Sequence, residues 1–167
     1  MKPSYVPHVR IVRVDYRSTV DGAALLALLD AYARDPMGGG IPLDVMVGER
    51  LCADLANIPG AVSYLAWDTD GEAVGLINCF LGYSTFKAKP LMNVHDLIVL
   101  PGRRGLGIGQ MLLAAAEQHA RSLGCCKLTL EVLTGNATAL ASYLRFGFEP
   151  YTLDPAAGQA SLMQKWL

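Results

Sequence analysis

The stretch "PGRRGLGIGQML", residues 101–112, sets two arginines and four glycines directly before a helical run. Upstream lies "NVHDLIVL" (93–100), an apolar β-rich run closed by Pro101 and Gly102. Downstream, Ile108, Met111, Leu112, Ala115, Ala116, Ala120 and Leu123 recur at helical spacing, and Gly124 stands where a helix would stop. "CCKLTLEVL" (125–133) then reads as a second strand. Strand, glycine turn, helix and strand make a β-turn-α-β unit from Asn93 to Val132, which places the chain among α/β proteins.

The first N–H groups of a helix have no partner within it, and the helix dipole is positive at that end. Glycines keep side chains off the approach to that backbone, and Arg103 and Arg104 add charge, so residues 103–109 read as a cradle for phosphate or pyrophosphate. The plainer reading is that Gly105, Gly107 and Gly109 only permit a tight turn. Glycine at both 107 and 109 weighs against it, because each costs about 0.5–1 kcal/mol against alanine in a helix. The dinucleotide pattern G-x-G-x-x-G fails, since the third glycine would fall on Gln110, and no Gly-Lys-Ser/Thr completes a nucleotide-triphosphate loop.

Working outward, "VRIVRVDY" (9–16) alternates as a strand. "TVDGAALLALLDAYARD" (19–35) reads as a helix with Thr19 or Asp21 as its N-cap. "PMGGGIPL" (36–43) breaks it, as a mobile flap or an ordinary linker, and a second helix runs from Asp44 to Asn57. "AVSYLAWD" and "EAVGLINCFLGY" flank "DTDG" as a hairpin, and "STFKAKP" (84–90) is a loop. Asn136 N-caps a short helix through Phe146 that Gly147 ends, and "FEPYTLD" and "ASLMQKWL" read as a closing pair of strands. The predicted order is β, α, α, β, β, β, α, β, α, β, β over one domain, residues 1–167.

Composition narrows the function classes. With 167 residues, 52% hydrophobic content and a net charge of −1, the chain fits one well-filled globular domain. No basic excess suggests nucleic acid, and no apolar run reaches the roughly 18 residues of a spanning helix, so no membrane role is expected. The N-terminal stretch lacks a signal peptide's apolar region, which points to the cytoplasm. Cys52, Cys79, Cys125 and Cys126 form no C-x-x-C pair and no metal-ligand spacing, so buried small hydrophobes and no metal are expected.

Arg104-Gly105-Leu106-Gly107-Ile108-Gly109 fits R-x-x-G-x-G, with "LIVLP" before it and "LTLEV" (128–132), Asn136, Tyr143 and "FGF" (146–148) after it. From about Asn93 to Tyr151 the chain resembles the GNAT superfamily of N-acetyltransferases. The N-terminal half matches only in the order of its elements. The resemblance implies a mixed α/β (α+β) sheet of about seven strands, splayed between the two middle strands and flanked by about four helices. It implies acetyl-CoA as co-substrate, a primary amine as acceptor, direct attack in a ternary complex and, as is common in that family, a homodimer.

Residue by residue, the backbone of Arg104, Gly105, Leu106, Gly107, Ile108 and Gly109 would hold the pyrophosphate, beside Arg103. Main-chain groups of Leu97, Ile98 and Val99 would pair with the pantetheine arm, and a bulge in that strand would turn an amide toward the acetyl carbonyl. Asn136 would contact the pantetheine amides. Tyr143 would protonate the departing thiolate, a task that suits a phenol with a pKa near 10; alternatively it packs in a core with Leu140 and Leu144.

The attacking amine must be neutral, so a base should stand near the acetyl group. His95 and Asp96 on the cofactor strand and Glu131 on the next are the candidates, with His95 and Asp96 expected on opposite faces. His95 could equally be a core histidine, and Asp96 a partner for an arginine. Asn78, Tyr83 and Phe86 could shape the acceptor pocket for a small amine or amino acid.

Overall fold

A computed structural model describes residues 8–152, 154, 156 and 160–167. It resolves into two compact units, one ending at Leu130 and one beginning at Glu131.

The first unit is a five-stranded sheet: β1 (Arg10–Arg13), β2 (Ala61–Trp67), β3 (Ala73–Ser84), β4 (Lys89–Val99) and β5 (Leu128–Leu130), in spatial order β1-β2-β3-β4-β5. All neighbours are antiparallel except β4 and β5, which are parallel. The helices of this unit are α1 (Thr19–Arg34), α2 (Val45–Asn57) and α3 (Ile108–Ser122). Leu25 and Leu28 of α1 and Leu55 of α2 pack with Val14, Leu65, Leu76 and Ile98 on one face of the sheet. The opposite face takes α3. A side chain at Gly75 would crowd Leu112 and Ile108 there, so the helix sits close over a bare strand position.

Local chemistry explains the boundaries. Ser18, one residue before Thr19 and three before Asp21, the two expected caps, accepts the Asp21 N–H and starts α1. Asp44 caps α2 through the Met46 N–H. The triple glycine forms a tight turn: a Cβ at Gly38 would strike the Tyr32 carbonyl, and Gly39 and Gly40 both have positive φ. Asp68 holds the β2–β3 turn by accepting the N–H groups of Asp70 and Glu72.

The second unit contains α4 (Ala137–Phe146), capped by Asn136 and closed by Gly147 at φ 107°. The expected closing strands, 148–154 and 160–167, do not form in their described residues; Leu153 lies outside them. Alternating apolar residues make a strand only when a neighbour takes their N–H and C=O groups. Tyr151, Leu162 and Trp166 are exposed instead. The sheet therefore has five strands, not about seven, and β5 keeps three residues of the expected nine.

Leu76 is fully buried between β2 and β4 in the α1-facing core. Leu76→Ala should lower unfolding free energy by about 2–5 kcal/mol in urea titration, from lost burial plus the cavity left behind.

Candidate functional site

Two backbone irregularities build the site. The first is at the parallel edge of β4. Pairing with β5 runs only over Met92, Asn93 and Val94, so His95–Val99 have no ladder partner on that side among the described residues. On the other side, the Leu100 N–H donates to the Val74 carbonyl, so the alternation of an antiparallel ladder directs Ile98 toward β3. The same alternation turns the N–H and C=O groups of Leu97 and Val99 to the open edge. The Val99 carbonyl is taken by Arg104 Nε at 2.9 Å. A strand-like ligand would thus find the main chain of Leu97 and the Val99 N–H, whereas Ile98, expected to join them, spends its backbone on Leu76.

The second irregularity is the start of α3. Helices α1, α2 and α4 all have an N-cap side chain that accepts a first-turn N–H. The N-cap of α3 is Gly107, which has no side chain to do so. The N–H groups of Gly105, Leu106, Gly107, Ile108 and Gly109 donate to no described residue. Five open donors thus lie at or beside the positive end of a 15-residue helix dipole. Gly105 and Gly107 have φ of 78° and 85°, so the turn itself demands glycine at both, including one position that the sequence argument assigned to ligand approach. Gly109 is different. It is helical, and a Cβ there would make only an ordinary contact with Val99, so the fold permits a side chain that the sequence omits.

The arginines are not free charges. Arg103 reaches Asp68 at 2.6 Å, and Arg104 reaches Asp35 at 2.9 Å. They brace the loop between the β2–β3 turn and the end of α1. The Met37 N–H, then Arg104, hold the Asp35 carboxyl below its usual pKa.

The candidate bases separate. Across β3 and β4 the register slips between Asn78 and Cys79: Asn78 faces Asp96, Cys79 faces Val94, and His95 is the extra residue of a bulge. The bulge cancels the expected opposition of His95 and Asp96. His95 packs edge-on against Phe80 at 5.5 Å, Asp96 accepts from Asn78, and Asn78 and Phe80 share one face of β3. Glu131 is not on a strand: β5 ends at Leu130, and Glu131 is exposed at the start of the second unit.

Behind Asp96 runs a hydrogen-bonded chain. Asn78 Nδ2 donates to Asp96 Oδ2 at 2.9 Å, and Ser63 Oγ donates to Asn78 Oδ1 at 2.6 Å. Ser63 lies 2.8 Å from the Tyr16 hydroxyl. Asn78 is only 4% exposed with its amide engaged, so it does not line a pocket as expected. Tyr83 and Phe86 sit near the tip of the β3–β4 hairpin and are exposed. Tyr83 is five strand residues from Asn78, about 17 Å, so the structure does not gather these two aromatics with Asp96. Burial, then the nearby Asp96 charge, pushes the Cys79 thiol up to about 12, which fits an inert core cysteine.

In the second unit, Asn136 Oδ1 accepts the Ala139 N–H, and its Nδ2 gives no hydrogen bond to a described residue. Tyr143 is half-buried and packs edge-on against Phe148 at 5.9 Å. Leu144 is exposed and α4 buries no side chain, so Tyr143 does not belong to an apolar core with Leu140 and Leu144.

Among the described residues, no helix is long and apolar enough to cross a membrane, and no cluster of His, Cys, Asp and Glu could hold a metal ion.

The sequence profile of the acetyltransferase (GNAT) family matches residues 25–148, and the chain belongs to that family. It is 35% identical to a streptothricin acetyltransferase of Streptomyces lavendulae over 59% of this chain and 50% of that protein. It is 33% identical to an aminoglycoside N(6')-acetyltransferase type 1 of Stenotrophomonas maltophilia over 60% of this chain and 67% of that one. The chain thus spans half to two thirds of the length of these relatives. The fold is shared with an aminoglycoside N-acetyltransferase solved in complex with CoA, at a TM-score of 0.74 and 18% identity over 95% of each chain.

The depressed Asp35 carboxyl gives its tie to Met37 and Arg104 a defined pH response. A folded-state pKa below the unfolded one contributes stability above the unfolded value, lost as pH falls through the folded value. The melting-temperature gap between the wild type and Asp35→Asn should therefore be constant near neutrality and narrow only in acid, below the ordinary carboxylate range, as thermal melts across pH would show.

Proposed function

We propose that the protein transfers an acetyl group from acetyl-CoA to a primary amine of a small molecule. The observation that supports this reading best is the pair of unsatisfied backbone surfaces within one unit: five open N–H donors at the uncapped start of α3, and the unpaired edge of β4 beyond Val94. Together they suit an anionic head and an amide-bearing arm. Acetyl-CoA offers both, with an acetyl group activated as a thioester. The donors of residues 105–109 would hold its pyrophosphate, and the Leu97 backbone with the Val99 N–H would pair with the pantetheine amides.

In this reading the amine nitrogen bonds to the acetyl carbon as the carbon–sulfur bond breaks. Asp96 takes the proton that the nitrogen sheds, and a general acid, the role that the family resemblance gives Tyr143, returns one to the sulfur, so N-acetyl amine and free CoA thiol leave with protons balanced. Asp96 is favoured over His95 and Glu131 because it alone of the three has its side chain fixed by a hydrogen bond from a buried residue. The curated relatives named above, which acetylate streptothricin and aminoglycosides, support a small amine as the acceptor class.

Thiol release from acetyl-CoA with a panel of amines tests this reading. The wild type should turn over at least one small primary amine. Tyr143→Phe should bind acetyl-CoA normally and lose roughly 10²-fold in kcat, the scale of one proton-transfer partner. A wild type that gains melting temperature with acetyl-CoA yet releases no thiol with any amine would mark a non-catalytic CoA binder.

A further inference from the structure

Ser63 and Asn78 are the two polar residues buried in the sheet, at 1% and 4% exposure, on a face otherwise filled by Leu65, Leu76, Ile98 and the leucines of α1. Their hydrogen bonds have one consistent direction. Ser63 has a single hydroxyl proton, and it goes to Asn78 Oδ1. Toward Tyr16 it can then only accept, so the Tyr16 phenol is the donor of that pair. Asn78 accepts at Oδ1 and donates from Nδ2 to Asp96. Tyr16, Ser63 and Asn78 therefore all donate toward one carboxylate. Asp96 Oδ2 is engaged, and Oδ1 takes no hydrogen bond from a described residue.

Packing does not call for this arrangement. Each buried polar group costs free energy unless it is fully bonded, and apolar residues of similar shape would fill the same layer without that cost. A second feature converges on the same atom. The extra residue at His95 rotates Asp96 onto the face of Asn78; without the bulge the carboxylate and the amide would not meet. The slip in register and the polar chain are separate features of two strands, and both serve the orientation of Asp96.

We propose that Ser63 and Asn78 are positioning residues for acetyl transfer, holding the Asp96 carboxylate in one orientation with a single oxygen left to take the proton of the attacking amine. The chain's outer end, Tyr16, opens on a cavity lined also by Arg13, Asp15 and Arg17. The inference rests on the acetyl-transfer reading above and adds two residues that touch no substrate. The other titratable groups beside Asp96 are Tyr32 of α1, Cys79 of β3 and His95. Burial, with the Asp96 charge adding to it, raises both Tyr32 and Cys79.

The double variant Ser63→Ala/Asn78→Leu removes the whole chain and leaves two groups without their partner: the Tyr16 hydroxyl, which can turn to solvent, and Oδ2 of the part-exposed Asp96 carboxylate. It should melt at or above the wild-type temperature and bind acetyl-CoA within twofold of wild type. Its kcat should fall 10- to 100-fold, with a smaller change in KM for the amine. Ser63→Ala alone should show an intermediate loss, with Asn78 still bonded to Asp96. A double variant that folds, binds acetyl-CoA and keeps kcat within twofold of wild type overturns the positioning role while leaving acetyl transfer intact. Absence of turnover in the wild type itself overturns both.

Discussion

The protein depends on backbone hydrogen-bonding groups that its own fold leaves unanswered. Buried or half-buried N–H and C=O groups are nearly always paired, so an unpaired set is a structural statement. Here two sets arise from simple causes. β5 leaves the ladder after Leu130, and β4 runs on for five residues without it. The helix that connects them begins at a glycine that cannot cap it. Both sets belong to one βαβ crossover, so a single topological choice leaves a strand edge and a helix terminus open together. In the proposed reading, few side chains would need to take part in holding acetyl-CoA, and the flanking sequence would stay free to serve the acceptor.

The bulge at His95 links that backbone surface to the core. One inserted residue moves Asp96 onto the α1-facing side of the sheet, where Asn78 and Ser63 interrupt an apolar layer. On the other side of the register slip, Cys79 and Val94 stay in the layer beneath α3. The slip lets one strand serve two masters: dense packing at Met92 and Val94, and a fixed polar group two residues later.

Much of this was legible in the residues. Periodicity and punctuation located α3 and α4 to within a residue, because Gly107, Gly124, Asn136 and Gly147 are unambiguous breakers and caps. The hairpin about Asp-Gly followed from turn chemistry. What stayed hidden needs a third dimension. A bulge has no composition of its own, so the shared face of His95 and Asp96 could not be read from alternation. The chain through Ser63 and Asn78 joins positions 15 residues apart whose pairing only the register reveals. The carboxylates that tie Arg103 and Arg104 lie 35 and 69 residues away, beyond any local pattern. The terminal strands failed for the opposite reason: their alternation is clear, and no neighbouring strand among the described residues answers it.

Because Arg103 and Arg104 are each tethered to an acid, their charges add little long-range field around the glycine loop. Paired charges cancel at distances longer than their separation, and salt screens what remains. In the proposed reading, capture of an anion there would rest on close-range fit to the amides, not on long-range pull, and an elongated ligand that also docks along β4 would be held better than a small anion such as inorganic phosphate.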